Sequence, residues 1–142
     1  MRDYRKLKVW EKAHQFVLDV YRSTRVFPAE ERFGLTREVR RSATSVPSNI
    51  AEGSGRGGDR EYARFLSYAA GSASEADYQL LLARDLGYLD EQTHAQLDGQ
   101  AQEVKRMLNS FIQRLSADAN GQRLRANGRS WPAGHLNSWH SG

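Results

Sequence analysis

The side chains of this chain best suited to engage a ligand are its arginines, and their spacing is patterned. Arg37, Arg40 and Arg41 fall at i, i+3 and i+4, so on a helix they share one face, opposite a seam of Leu35, Val39, Val46 and Ile50. Arg56, Arg60 and Arg64 continue the basic run across a glycine-rich stretch, the last two pointing away from a Tyr62/Phe65 stripe. A guanidinium is planar, permanently charged and able to grip phosphate with parallel N–H donors. Exposed arginines grouped in this way suit phosphate contacts, which add affinity without reading base sequence. The same side chains would equally serve to pair with Glu38, Glu52, Glu61 and the acids of a neighbouring subunit.

Other chemistries find less support. Gly53-x-Gly55-x-x-Gly58 has the letters of the dinucleotide fingerprint, but that motif works after a strand and within a βαβ unit. Here a helical pattern precedes it and no strand pattern occurs anywhere. A carboxylate-bridged metal pair in a helical bundle needs Glu-x-x-His, which is absent. His14 lies at the edge of an apolar face, His94 begins a helix, and His135 and His140 come late in the chain. No nucleophile, base and orienting group stand together either. The residues therefore predict a protein without a catalytic site, metal or cofactor.

A polar group remains. Asn49 and Glu52 flank Ile50 just before the glycines, and Ser72, Glu75 and Gln79 recur at three- and four-residue steps along a later helix. Polar side chains beside a seam need partners, so these five are expected to form one hydrogen-bonded network that fixes helix register.

The elements that must position these residues are helical throughout. Leu7, Trp10, Ala13, Val17, Val20, Tyr21 and Thr24 set a helix over 5–26, ended by Phe27-Pro28. A second, over 31–53, carries the seam Leu35, Val39, Ala43, Val46 and Ile50, with Pro47 inside it predicting a kink or local break. Gly53-Ser54-Gly55-Arg56-Gly57-Gly58 reads as a loop and Asp59 as the cap of the third helix, over 59–87. That helix buries Tyr62, Phe65, Leu66, Ala69, Ala73, Ala76, Leu80 and Ala83. After a turn at Gly87, with Asp90 as cap, a fourth helix over 91–116 buries Leu97, Ala101, Val104, Leu108, Phe111 and Leu115. The sum is an all-α, antiparallel four-helix bundle over residues 1–116. Residues 117–142, rich in Gly, Asn, Arg and Ser, read as a disordered tail holding Trp131 and Trp139.

At 142 residues, one domain is expected. The net charge of +4 is unevenly spread: residues 1–64 hold 14 Lys/Arg against 9 Asp/Glu, and residues 65–116 hold 4 against 7. With no cysteine, no apolar stretch near the roughly 20 residues of a membrane span, and no signal-like N-terminus, a soluble cytoplasmic protein is expected. Val9 and Phe16 in helix 1, and Tyr68, Leu82 and Leu86 in helix 3, exceed what one seam needs. They predict a homo-oligomer whose contacts these residues form.

Several strings occur in order: Leu7-Lys8-Val9-Trp10, Phe27-Pro28, Phe33-Gly34-Leu35, Arg41 to Gly53 with its Asn49-Ile50-Ala51-Glu52-Gly53 end, Gly71-Ser72-Ala73-Ser74-Glu75 and Leu86-Gly87-Tyr88. Over about residues 4–116 the chain resembles the bacterial four-helix bundle proteins named for 23S ribosomal RNA intervening sequences. The resemblance implies a homopentamer without known enzymatic activity. It also implies kinship with accessory proteins of diversity-generating retroelements, which bind nucleic acid together with a reverse transcriptase. Two functions stay open: a scaffold or adaptor binding RNA or DNA through its arginines, and a purely structural oligomer that meets a protein partner.

Overall fold

The protein is seen in a computed structural model that describes residues 3–126. Trp131, Trp139, His135 and His140 lie outside the described residues. The described chain holds four α-helices and no strand: α1 (Lys8–Ser23), α2 (Leu35–Ser54), α3 (Asp59–Asp85) and α4 (Glu91–Ala126), with single 3-10 turns at Tyr4–Lys6, Thr24–Val26 and Ala29–Glu31.

The contacts between helices fix an antiparallel order. On α2 and α3, Arg41 meets Glu75, Ser45 meets Ser72, and Gly53 lies against Tyr62 and Phe65. On α3 and α4, Asp77 meets Gln102 and Tyr62 meets Phe111. Each helix packs on its chain neighbours, and α4 closes back on α1, where Lys12 pairs with Glu103 and Gln100 donates to Asp19. Two apolar layers fill the interior. One gathers Phe16, Val20, Phe27, Val39, Leu80 and Leu97, the other Val9, Ile50, Tyr62, Leu66, Val104 and Leu108. No described helix is long and apolar enough to cross a membrane.

The seam positions are buried as their period predicts, including Val39, Ala43, Val46, Ile50, Leu66 and Leu80. The surplus face of helix 1 is a correction. Val9 is 5% exposed and Phe16 fully buried, so both belong to the core and not to a subunit contact. A bundle helix touches two neighbours and buries a wider stripe than one seam. Tyr68 on α3 and Leu86 just past its end do face outward, and Leu82 is half-buried.

The helices depart from their expected course: α1 spans Lys8–Ser23 and not 5–26, and α2 begins at Leu35 and not at 31, with short 3-10 turns at Tyr4–Lys6, Thr24–Val26 and Ala29–Glu31. Pro47 does not break α2, which runs on as one helix with Val46, Pro47 and Ile50 all buried against its neighbours. Gly53 and Ser54 belong to α2 and not to the loop. A Cβ on Gly53 would lie 2.8 Å from Phe65 Cβ and 3.0 Å from Tyr62 Cδ1, so this glycine permits close helix contact. Gly58, at φ +91°, precedes α3, and Asp59 is its first residue, not its cap. Finally α4 continues past Ser116 to Ala126, so the expected tail begins with helix.

The turn into α4 is tightly specified. Gly87, at φ +82°, donates to Arg84 O at 2.9 Å while Tyr88 N reaches Ala83 O at 2.9 Å, the paired bonds of a glycine-ended helix. Asp90 then caps α4 by accepting from Thr93 N at 2.7 Å, which holds its carboxyl below the usual range.

Candidate functional site

The six arginines do not form one patch. Arg37, Arg40 and Arg41 sit at the start of α2, whereas Arg56, Arg60 and Arg64 lie beyond its far end and at the start of α3. About 13 helical residues, roughly 20 Å, separate the two groups.

The first group borders an open cleft of about 440 Å³ lined by Tyr21, Arg32, Phe33, Thr36, Arg37, Arg40 and Arg41. The cleft forms where the end of α1, the turn before α2 and the first turns of α2 converge. Thr24 closes α1 by donating its hydroxyl to Val20 O at 2.8 Å. Arg40 binds back to that corner, donating from Nε to Thr24 Oγ1 at 2.8 Å and from Nη2 to Tyr21 O at 3.2 Å, with its guanidinium carbon 4.6 Å from the Tyr21 ring centroid. It therefore ties α1 to α2 as well as lining the cleft. The turn is held from below by Glu31. One of its carboxylate oxygens accepts from Leu35 N at 3.2 Å, and the other accepts from the Tyr88 hydroxyl at 2.9 Å. That bond, before burial and charge, pushes the Tyr88 phenol up from its ordinary value. With Glu31 turned inward, Arg32 and Phe33 project outward, the guanidinium carbon 5.3 Å from the ring centroid. Phe33 is 76% exposed.

Among the cleft arginines, Arg41 donates to Glu38 at 3.0 Å and to Glu75 at 3.1 Å. Arg37 has no hydrogen bond or ion pair among the described residues, nor does Arg32 beyond its ring contact. No carboxylate belongs to the lining itself.

The second group is arranged differently. Arg56 pairs with Glu52 at 2.6 Å and lies 5.0 Å from the Phe65 centroid. Arg64 donates to the Tyr68 hydroxyl at 2.7 Å and to Glu61 at 3.1 Å. Only Arg60 of the three lacks a hydrogen bond or ion pair among the described residues.

The expected polar network is also divided. Asn49 donates to Ser45 O at 2.8 Å and to Ser45 Oγ at 3.0 Å, and Ser45 Oγ meets Ser72 Oγ at 2.8 Å. Glu52 is not part of this chain, because Arg56 one turn later offers it a charged partner. Glu75 goes to Arg41, with Gln79 following it at 3.5 Å. Ser45, absent from the expected set, joins α2 to α3 through Ser72, as Arg41 does through Glu75.

Sequence reasoning missed Arg32, Phe33, Thr24 and Tyr21 as members of the site. Tyr21 has seam spacing but sits at the last turn of α1, where the neighbouring helix no longer covers it, and it is 41% exposed. Phe33 stood in the sequence as a large apolar residue between arginine and glycine, outside any helical period.

Elsewhere, no three His, Asp or Glu side chains gather in a metal-holding cluster among the described residues. Two carboxylates do approach on α3 and α4: Gln102 Nε2 donates to Asp77 at 3.0 Å and to Asp98 at 3.2 Å. Burial, then the hydrogen bond to Asp98, raises the Asp77 carboxyl, while the same bond lowers Asp98, so Asp77 is the first of the two to take up a proton as pH falls.

A family model described as 23S rRNA-intervening sequence protein matches residues 5–110. Among solved structures, the chain is similar to a protein of unknown function from the S23 ribosomal protein family of Bacteroides thetaiotaomicron, at 22% identity and a TM-score of 0.67. The match covers 73% of this chain and 97% of that one. No curated protein matches significantly.

Proposed function

This chain belongs to the 23S rRNA-intervening sequence protein family, and we propose that it is a non-enzymatic, self-associating helical scaffold that binds RNA or DNA through the arginine cleft. The observation that carries this reading is the cleft lining: four guanidiniums, two aromatic rings and a threonine hydroxyl, with no carboxylate among them. Arginine does not titrate in the accessible range and so supplies no general base, whereas it supports charge-assisted bonds to phosphate. The ion pairs of Arg41 are solvent-exposed and contribute little, so phosphate competes for that side chain at small cost.

Self-association, as the ring of five that the family resemblance implies, makes the patch multivalent: a strand touching several subunits gains affinity without new contacts. The outward Tyr68, Tyr78 and Leu81 of α3, with Leu86 just past its end, support such contacts. They also favour a second reading, a structural or protein-binding oligomer with no nucleic-acid role.

The test is a fluorescence anisotropy titration against labelled RNA and DNA over a range of salt. Log affinity falls linearly with log salt, with a slope of about −0.7 per phosphate neutralised on single strands. Arg32→Gln, Arg37→Gln and Arg41→Gln together lower affinity at low salt about tenfold or more and flatten that slope. An absence of binding to either polymer leaves the second reading standing.

A further inference from the structure

Building on the nucleic-acid reading above, we infer that the cleft takes an unpaired base onto the Phe33 ring, so that the ligand is a single strand and not a duplex. Phosphate recognition alone needs no exposed aromatic, yet Phe33 is the most exposed large hydrophobic residue described, at 76%. It is not a stray side chain on a loose loop. The Glu31 bonds to Leu35 N and Tyr88 fix the turn that carries it, and Gly34 behind it leaves room for Glu31, whose Oε1 would lie 2.7 Å from an added Cβ.

Around the ring stand cations in the places a strand requires. Arg32 lies over Phe33, Arg37 and Arg41 rise from the next turns of α2, and the half-open Tyr21 offers a second ring beneath Arg40. A base presents a π-face to an aromatic ring while its two flanking phosphates meet guanidiniums, which is how sequence-tolerant single-strand binders combine stacking with charge. A duplex keeps its bases stacked inside and leaves no base face free for the ring, only phosphates and groove edges. A second copy cannot meet this cleft with the same face, since four arginines without an acid in the lining repel an identical surface, and a copy that meets it with a different face is an outcome the experiment reads.

The experiment compares four labelled ligands by anisotropy at low salt: oligothymidylate, oligouridylate, an abasic strand of the same length, and a duplex. The wild-type chain binds the two base-bearing strands about five- to a hundredfold more tightly than the abasic strand, the range expected for one stacked base. Phe33→Ala abolishes that excess while keeping the abasic affinity and the salt slope, and Phe33→Tyr retains it. Either sugar supports the inference, and the ratio of the two strands states which is preferred. Equal affinity for abasic and base-bearing strands overturns the base pocket and leaves the phosphate reading intact. The absence of binding to all four ligands overturns both. Sedimentation of Phe33→Ala checks the remaining occupant: dissociation of an assembly would assign the ring to a contact between copies and overturn the inference.

Discussion

The two ends of the α2–α3 hairpin use the same materials to opposite effect. At each end arginines lie over aromatic rings at similar distances, 4.6 and 5.3 Å at the cleft, 5.0 and 5.6 Å near the glycine loop. Near the loop, Arg56 and Arg64 each have a carboxylate one turn away on the same stretch of chain, Glu52 and Glu61, and their charge is met locally. At the cleft Arg41 is met in the same way by Glu38, and by Glu75 from α3, but Arg32 and Arg37 have no carboxylate three or four residues away and the opening they border contains no acid. Arginine count is thus a poor guide to a binding surface. Whether a neutralising partner lies three or four residues away decides more.

The largest effect that would sharpen this contrast is structural and sits at the loop end. Gly53→Ala pushes a methyl into Phe65 and Tyr62 Cδ1, and overpacking of this kind costs about 1–3 kcal/mol. Chemical denaturation reads that loss. Nucleic-acid binding by the folded fraction stays as it was, because the cleft lies at the other end. A smaller effect tests the charges themselves. Arg56→Gln, Arg60→Gln and Arg64→Gln together change affinity for a single strand by less than about threefold, against the tenfold or greater loss from the cleft set. A loop-end loss equal to the cleft's would erase the distinction between the two ends.

The smallest effect concerns a third place, the α3–α4 carboxylate pair, and sets its sign by pH. Asp77 has a raised value in the fold, so its contribution to stability is present below the unfolded carboxylate range and is lost as pH rises through the folded value. Ionised beside Asp98 at neutral pH, it is unfavourable. Asp77→Asn therefore gains roughly 0.5 kcal/mol or less near neutrality and nothing once both carboxyls are protonated, a difference that thermal melts at two pH values resolve. A gain that is equal at both pH values would show that Asp98 and burial do not raise the Asp77 carboxyl.

The seams were legible in the sequence because burial follows a 3.6-residue period: Val39, Ala43, Val46 and Ile50 could be placed on α2 from spacing alone. The same spacing does not show how wide the buried stripe is, so it leaves Val9 and Phe16 off the seam although both are buried. Gly53 looked like one more loop glycine, since the close approach it permits depends on Tyr62 and Phe65 from the next helix. The site divided in the same way. Arg37, Arg40 and Arg41 share a local spacing and were found, whereas Tyr21, Arg32 and Phe33 join them only through the corner where α1 ends and α2 begins. Their membership is a tertiary fact with no period to announce it.

The bond from Tyr88 to Glu31 spans 57 positions of the chain. During synthesis, the turn bearing Phe33 leaves the ribosome well before the residue that secures it. At about 5–20 residues per second, several seconds pass before Tyr88 is even made. A nascent chain therefore carries the cleft arginines without their finished frame, and the site matures only when the turn into α4 has folded back beneath it. Maturation of the binding surface thus falls late in translation, although most of its residues come from the first third of the chain.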